Sequence, residues 1–236
     1  MAVATIAPTS KTTALRRAFQ PFLRWALGST SDSTGHHARG WRGMLRTLII
    51  TLTRFGDVAV LMPLAIIVLI WLLLTRSFRC AVWWAISVLL CLIATVVLKL
   101  SFDQCPPIPQ VHSPSGHTSL STLVYGAITL VATAQTNGWL KKVLLGGGAS
   151  LILGIAVSRL YLNAHNLSEI SLGFLVGAAT LVVFGQAYRQ FEGATIARVV
   201  LLILVTGTVT IILHGRSLNT AVMLQKIASF FGSYCN

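Results

Sequence analysis

The chain has 236 residues, 55% of them hydrophobic and only 10% charged, with a net charge of +13. A soluble domain carries about 25% charged residues, so the composition excludes an ordinary soluble domain and fits one membrane domain of five to seven helices at roughly 20 residues per span. Eight of the 18 Lys and Arg lie before residue 55, and most others flank apolar runs, a placement that suits anionic lipid headgroups and sets aside a nucleic-acid partner.

Residues 1–40 are basic and rich in Ser, Thr and Gly, and read as a flexible region. Arg16, Arg17 and Arg24 interrupt its apolar stretch, so it does not read as a secretory signal, which needs an unbroken apolar core. His36 and His37 have no further ligand nearby and read as solvated. The next segment, WRGMLRTLIITLTRFGD, spaces Arg42, Arg46 and Arg54 along one helical face, with Leu45, Leu48, Ile49 and Leu52 largely on others. This pattern predicts an amphipathic helix lying in the membrane interface, against anionic lipids.

Six apolar stretches follow, at about 58–74, 80–101, 118–135, 143–161, 166–187 and 197–214. The fold expected is all-α: a polytopic membrane bundle of about six transmembrane helices over residues 41–216, with a tail at 217–236 that reads as a short helix. Gly146, Gly147 and Gly148 are not followed by the Lys-Ser or Lys-Thr of a phosphate loop, and helix packing accounts for them better. No Cys-x-x-Cys pair occurs among the four cysteines, so zinc and redox motifs have no support. Cys91, inside an apolar run, reads as a packed small side chain.

Alternating spans put the polar segment SPSGHT (113–118) and the segment SRLYLNAHNLSEI (158–170) on one side of the membrane. The connections on the opposite side carry Arg76, Arg79, Lys141, Lys142, Arg189 and Arg198. Short-loop cations favour the cytoplasm, which turns the polar segments outward. The cations of the N-terminal region fall on that same outward side with six spans, and pull against this orientation.

Charged groups in or beside spanning helices cost roughly 2.5 to 3.5 kcal/mol each on insertion scales and are functional candidates by default. Lys99 ends the second apolar run, Ser115, Gly116 and His117 lead into the third, Arg159 ends the fourth, and His165 with Glu169 opens the fifth. Lys99 and Arg159 suit a phosphate. Gly116 lets backbone approach closely at a helix start, whose free N–H groups bind anions. His117 there is able to donate a proton. His165 and Glu169 lie one helical turn apart on one face, so the carboxylate can fix the imidazole tautomer and leave the other nitrogen as a nucleophile. Zinc held by His117, His165 and Glu169 is the rival chemistry; two adjacent cations favour an anion instead.

These residues resemble the type 2 phosphatidic acid phosphatases, the membrane branch of a superfamily that includes the vanadium haloperoxidases. The resemblance spans about residues 45–190. The family's second motif is intact as Pro114-Ser115-Gly116-His117, and its third is present, with an acid substituted at its last position, as Ser158-Arg159, five residues, His165, three residues, Glu169. By that resemblance His165 would attack phosphorus to form a phosphohistidine, and His117 would protonate the leaving group. Lys99, Arg159 and the backbone around Ser115 and Gly116 would hold the phosphoryl oxygens, and Glu169 would orient His165. No metal or other cofactor would be required. The substrate would be a lipid phosphate, and bacterial members act at the outer, periplasmic face of the inner membrane. Two positions depart from the pattern: Pro106 stands where the first motif has Arg, and Glu169 where the third has Asp. Two alternatives share the pocket, a lipid phosphotransferase using the same intermediate and a non-catalytic lipid-binding member that lacks the missing Arg.

Overall fold

The computed structural model describes residues 35–75, 77–104, 113–134, 136–189 and 196–214. Among them are seven helices and no strand: α1 (Gly35–Phe55), α2 (Val58–Leu74), α3 (Phe78–Gln104), α4 (Gly116–Ala134), α5 (Gly138–Tyr161), α6 (Leu167–Tyr188) and α7 (Ile196–Leu213). The apolar stretches thus coincide with α2 to α7 to within a few residues. The chain divides into two units, Met1–Leu48 and Ile49–Asn236. In the first, helix begins at Gly35, so the last residues of the segment expected to be flexible are helical. Met44, Arg46 and Leu48 are all exposed there. Pro106 and the 217–236 tail lie outside the described residues.

In the second unit α4 is the central helix, packed against α2, α3, α5, α6 and α7. It is buried over nearly its whole length, including the polar side chains Thr118, Ser119, Ser121 and Thr122. Those hydroxyls have protein partners: Ser121 and Thr122 both donate to the Thr118 carbonyl, at 3.2 and 2.7 Å, Thr118 donates to the Ser115 hydroxyl, and Ser119 pairs with Thr95 of α3. Trp84 of α3 is 1% exposed and donates its indole N–H to the Ala65 carbonyl of α2 at 2.9 Å. Its ring meets Phe184 of α6 edge-on, with centroids 5.0 Å apart, a favoured aromatic geometry. Cys91 is fully buried in this core, as its place in an apolar run predicts.

Among the described residues three helices are long and apolar enough to cross a membrane: Phe78–Phe102, Gly138–Tyr161 and Leu167–Tyr188. A fourth span is added if Gly43–Phe55 and Val58–Leu74, bent by 43° at their junction, count as one. The expected six are therefore not reached by length and composition. α2 has 17 residues, the apolar part of α7 is Val199–Leu213, and α4 is rich in Ser and Thr. The polar content of α4 has a physical reason. A helix surrounded by protein does not face lipid, so its hydroxyls need intramolecular partners rather than an apolar replacement. The outer helices instead expose Leu89, Ile93, Val97, Leu153, Leu175, Leu204 and Ile211, an apolar surface far more extensive than a soluble protein presents.

Small residues set the closest helix approaches. A methyl group added at Gly173 of α6 would stand 2.5 Å from the Ser115 carbonyl oxygen, and one at Gly177 would collide with the Ser119 carbonyl oxygen. The Gly-x-x-x-Gly spacing therefore presses α6 onto the start of α4. The triple glycine of α5 divides: Gly148 packs against Thr129, whereas Gly146 and Gly147 face open space. The packing expectation holds for one glycine of the three.

Candidate active site

The end of α5 and the start of α6 build the first half of the site. Helix α5 stops in a Schellman turn: the Ala164 N–H donates to the Arg159 carbonyl at 3.1 Å, and the Asn163 N–H to the Leu160 carbonyl at 3.0 Å. Asn163 takes a left-handed conformation, φ 50°, which Asn tolerates better than most residues. Asn166 then caps α6, and Glu169 reaches back to accept the Asn166 N–H at 3.1 Å, the Glu half of a capping box. These two local motifs fill the five-residue gap between Arg159 and His165, returning the chain so that both side chains stand at one end of the bundle.

The same Glu169 oxygen accepts from His165. Nδ1 and Oε2 are 2.7 Å apart, with the two side chains 12% and 5% exposed. Against a carboxylate Nδ1 carries the proton, which leaves the lone pair on Nε2. Burial holds the His165 imidazole below its ordinary range despite the upward pull of Glu169, so the ring is neutral near pH 7. A cleft of about 260 Å³ opens beside it, lined by Ser113, Asn163, Ala164, His165, Asn166 and Glu169. Of these linings, sequence reasoning named only His165 and Glu169; Asn163 and Ala164 come from the Schellman turn, Asn166 from the α6 cap, and Ser113 from the segment before α4.

Helix α4 supplies the second half. Ser115 is fully buried, and its hydroxyl accepts from Thr118 Oγ1 at 3.1 Å. Its backbone N–H donates to the Glu169 carbonyl at 3.1 Å. That amide is thereby engaged, so the amides left for an anion in this segment are those at the first turn of α4, from Gly116 and His117 onward. A methyl at Gly116 would lie 4.0 Å from Lys99 Cε, which sets the Lys99 stem alongside the helix start. His117 stands just before the apolar run of α4. Burial foremost, and then the charge of Arg159, push its imidazole down to about 4; Asp57 pulls the other way, and His165 and Lys99 add to the depression. The two histidines, the lysine and the arginine therefore share one electrostatic environment.

Arg159 Nε is buried and has no hydrogen-bond partner among the described residues. A buried donor without a partner is rare in folded proteins and calls for an occupant. Among the described residues no group of three or more His, Cys, Asp or Glu is arranged to hold a metal ion.

Residues 99–192 match the PAP2 superfamily. The match is consistent with a member of the type 2 phosphatidic acid phosphatase family, and its span takes in the Lys99, Ser115–His117, Arg159, His165 and Glu169 positions. PAP2 proteins are generally phosphatases of phosphate esters, and the apolar helices here are those of a membrane protein. The chain is also 32% identical over 136 residues to an uncharacterized 22.5 kDa protein in the cps region of Klebsiella pneumoniae, an alignment covering 55% of this chain and 64% of that protein. No solved structure matches the chain.

One acidic residue of this site escaped sequence reasoning. Asp57, in the turn between α1 and α2, lies close enough to act electrostatically on both His117 and Arg159. Its signal was present but common: a single Asp before an apolar run reads as an ordinary helix cap.

Proposed function

We propose that this PAP2 protein is an integral membrane phosphatase that releases phosphate from a lipid phosphomonoester or diphosphate through a phosphohistidine. The buried, unpartnered Nε of Arg159 beside His165 carries the reading, because a phosphoryl oxygen is the acceptor that such a donor lacks. Lys99 and the first-turn amides of α4 add positive potential around the same anion.

The chemistry follows from the tautomer. His165 Nε2 donates its lone pair to phosphorus while the bond from phosphorus to the lipid oxygen breaks, and that oxygen takes a proton from the protonated His117. The Glu169 carboxylate stabilises the His165 ring as positive charge develops on it. Water then attacks the phosphohistidine and gives its proton to the now neutral His117. Phosphate leaves, and both imidazoles return to their starting states. The site opens to the periplasmic side of a bacterial inner membrane in this reading, since the opposite connections carry the cations, and the basic N-terminal region rests on anionic lipids.

The test is phosphate release by the purified protein in detergent from phosphatidate, phosphatidylglycerophosphate and undecaprenyl diphosphate, with chelator present throughout. Turnover of at least one, lost in His165→Ala, is expected. Turnover that persists in His165→Ala would falsify the mechanism, and phosphorylated acceptor lipid in place of free phosphate would reassign the protein as a phosphotransferase.

A further inference from the structure

His165 has a carboxylate of its own in Glu169, and the chain contains only five Asp and Glu in all. A second one is set at the other histidine. The turn joining α1 to α2 is pinned along α4 at two heights. The Tyr125 hydroxyl donates to the Phe55 carbonyl at 2.8 Å, and a methyl at Gly56 would lie 3.5 Å from His117 Cβ. Asp57 is the next residue. Its Oδ1 accepts the Ala59 N–H at 2.9 Å and so caps α2, which fixes the carboxylate in place on the His117 side of the bundle. It makes no hydrogen bond or ion pair with His117 or Arg159, and acts on them through space.

We propose that Asp57 is a positioning residue for the acid half of the reaction: held by its cap at the α1–α2 turn, its carboxylate favours the His117 imidazolium that protonates the leaving oxygen. The inference rests on the phosphatase reading. The other groups facing His117 are Arg159 from α5, Lys99 from α3 and His165 from the turn before α6, and all three disfavour a positive ring. Among the described residues Asp57 is the one that favours it. Without such a carboxylate the site would gather cations for the phosphate and, by the same repulsion, strip the proton its acid has to deliver.

The cap offers a way to separate structure from chemistry, since Asn and Ser cap helices about as well as Asp but carry no charge. The full-length protein in detergent is compared as wild type, Asp57→Asn, Asp57→Ser and Asp57→Glu on two substrates. Phosphatidate has an alkoxide leaving group that needs a proton, whereas 2,4-dinitrophenyl phosphate has one that leaves without it. Expected for Asp57→Asn and Asp57→Ser is a roughly 10- to 100-fold fall in kcat/KM on phosphatidate, with the alkaline limb of the pH profile moved to lower pH. On the dinitrophenyl ester the fall should stay within about threefold, and Asp57→Glu should recover part of the phosphatidate activity. Equal losses on both substrates with an unmoved pH profile, or no loss on either, overturn the assignment and leave Asp57 as a helix cap only. If the wild type releases phosphate from neither substrate, the phosphatase reading fails and this inference with it, an outcome distinct from the other two.

Discussion

The backbone N–H of Ser115 donates to the backbone carbonyl of Glu169 at 3.1 Å. This one bond ties the segment that carries His117 to the segment that carries His165, across 54 positions of sequence. Backbone atoms make it, so no choice of side chain at either position announces it. It fixes the two histidines relative to one another independently of any bound anion, the kind of preorganisation from which electrostatic catalysis draws its strength.

The role of Glu169 can be separated from its capping role. Gln keeps the capping box but removes the charge that fixes and stabilises His165. Glu169→Gln should therefore lower kcat by roughly 100- to 10,000-fold while leaving the melting temperature close to wild type. A large drop in melting temperature with little loss of turnover per folded molecule would reverse the assignment.

The pH dependence follows from the two imidazoles. In the proposed mechanism the free protein needs His165 neutral and His117 protonated. Burial holds His165 below 6.5 and pushes His117 down to about 4. The productive form is thus most populated on the acid side, and kcat/KM should peak below pH 6.5. Above that it should fall about tenfold per pH unit as His117 loses its proton. A bound phosphate adds negative charge and raises both imidazoles, so the kcat optimum should lie at higher pH than that of kcat/KM. The two profiles, corrected for the substrate's own ionisation, check this. A kcat/KM optimum at pH 8 or above would remove His117 from the acid role.

Packing predicts a sharp contrast between two glycines. In Gly173→Ala the methyl meets the Ser115 carbonyl oxygen at 2.5 Å and its backbone carbon and nitrogen at 3.3 Å, and backbone cannot step aside as a side-chain tip can. A destabilisation of roughly 1–3 kcal/mol is expected, together with lost activity, because the displaced segment leads directly into His117. Gly146→Ala meets nothing within 4 Å and should stabilise its helix by about 0.5–1 kcal/mol. Thermal unfolding in detergent distinguishes them, and similar behaviour of the two would refute the packing account.

The Schellman turn supplies a last test. Asn163→Gly preserves the left-handed conformation and should retain both fold and turnover. Asn163→Val forces a β-branched side chain into that conformation at a cost of about 1–2 kcal/mol and should disturb the spacing between Arg159 and His165. Equal turnover in the two variants would show that the turn does not set the site.

Local chemistry made several features readable in advance. An uninterrupted apolar run has few ways to satisfy its backbone other than helix, so α2 to α7 were expected nearly where they stand. His165 and Glu169 were paired by helical spacing alone, because residues four apart on a helix start are neighbours whatever surrounds them. Other features depended on what lies across the bundle. α4 was expected as an apolar span like the others, and its Ser and Thr make sense only once five neighbouring helices enclose it. The amide of Ser115 looked available for an anion until the Glu169 carbonyl arrived from another helix. Gly146 and Gly147 invited a packing role from sequence and Gly173 and Gly177 did not, yet only the latter pair bears the weight of an opposing backbone. Asp57 drew no notice in the sequence because its relationship to His117 is made through space between distant stretches of chain. Periodicity and capping are properties of neighbours in sequence; the electrostatic field at a buried imidazole sums charges over every chain segment that packs around it, and no linear pattern contains that sum.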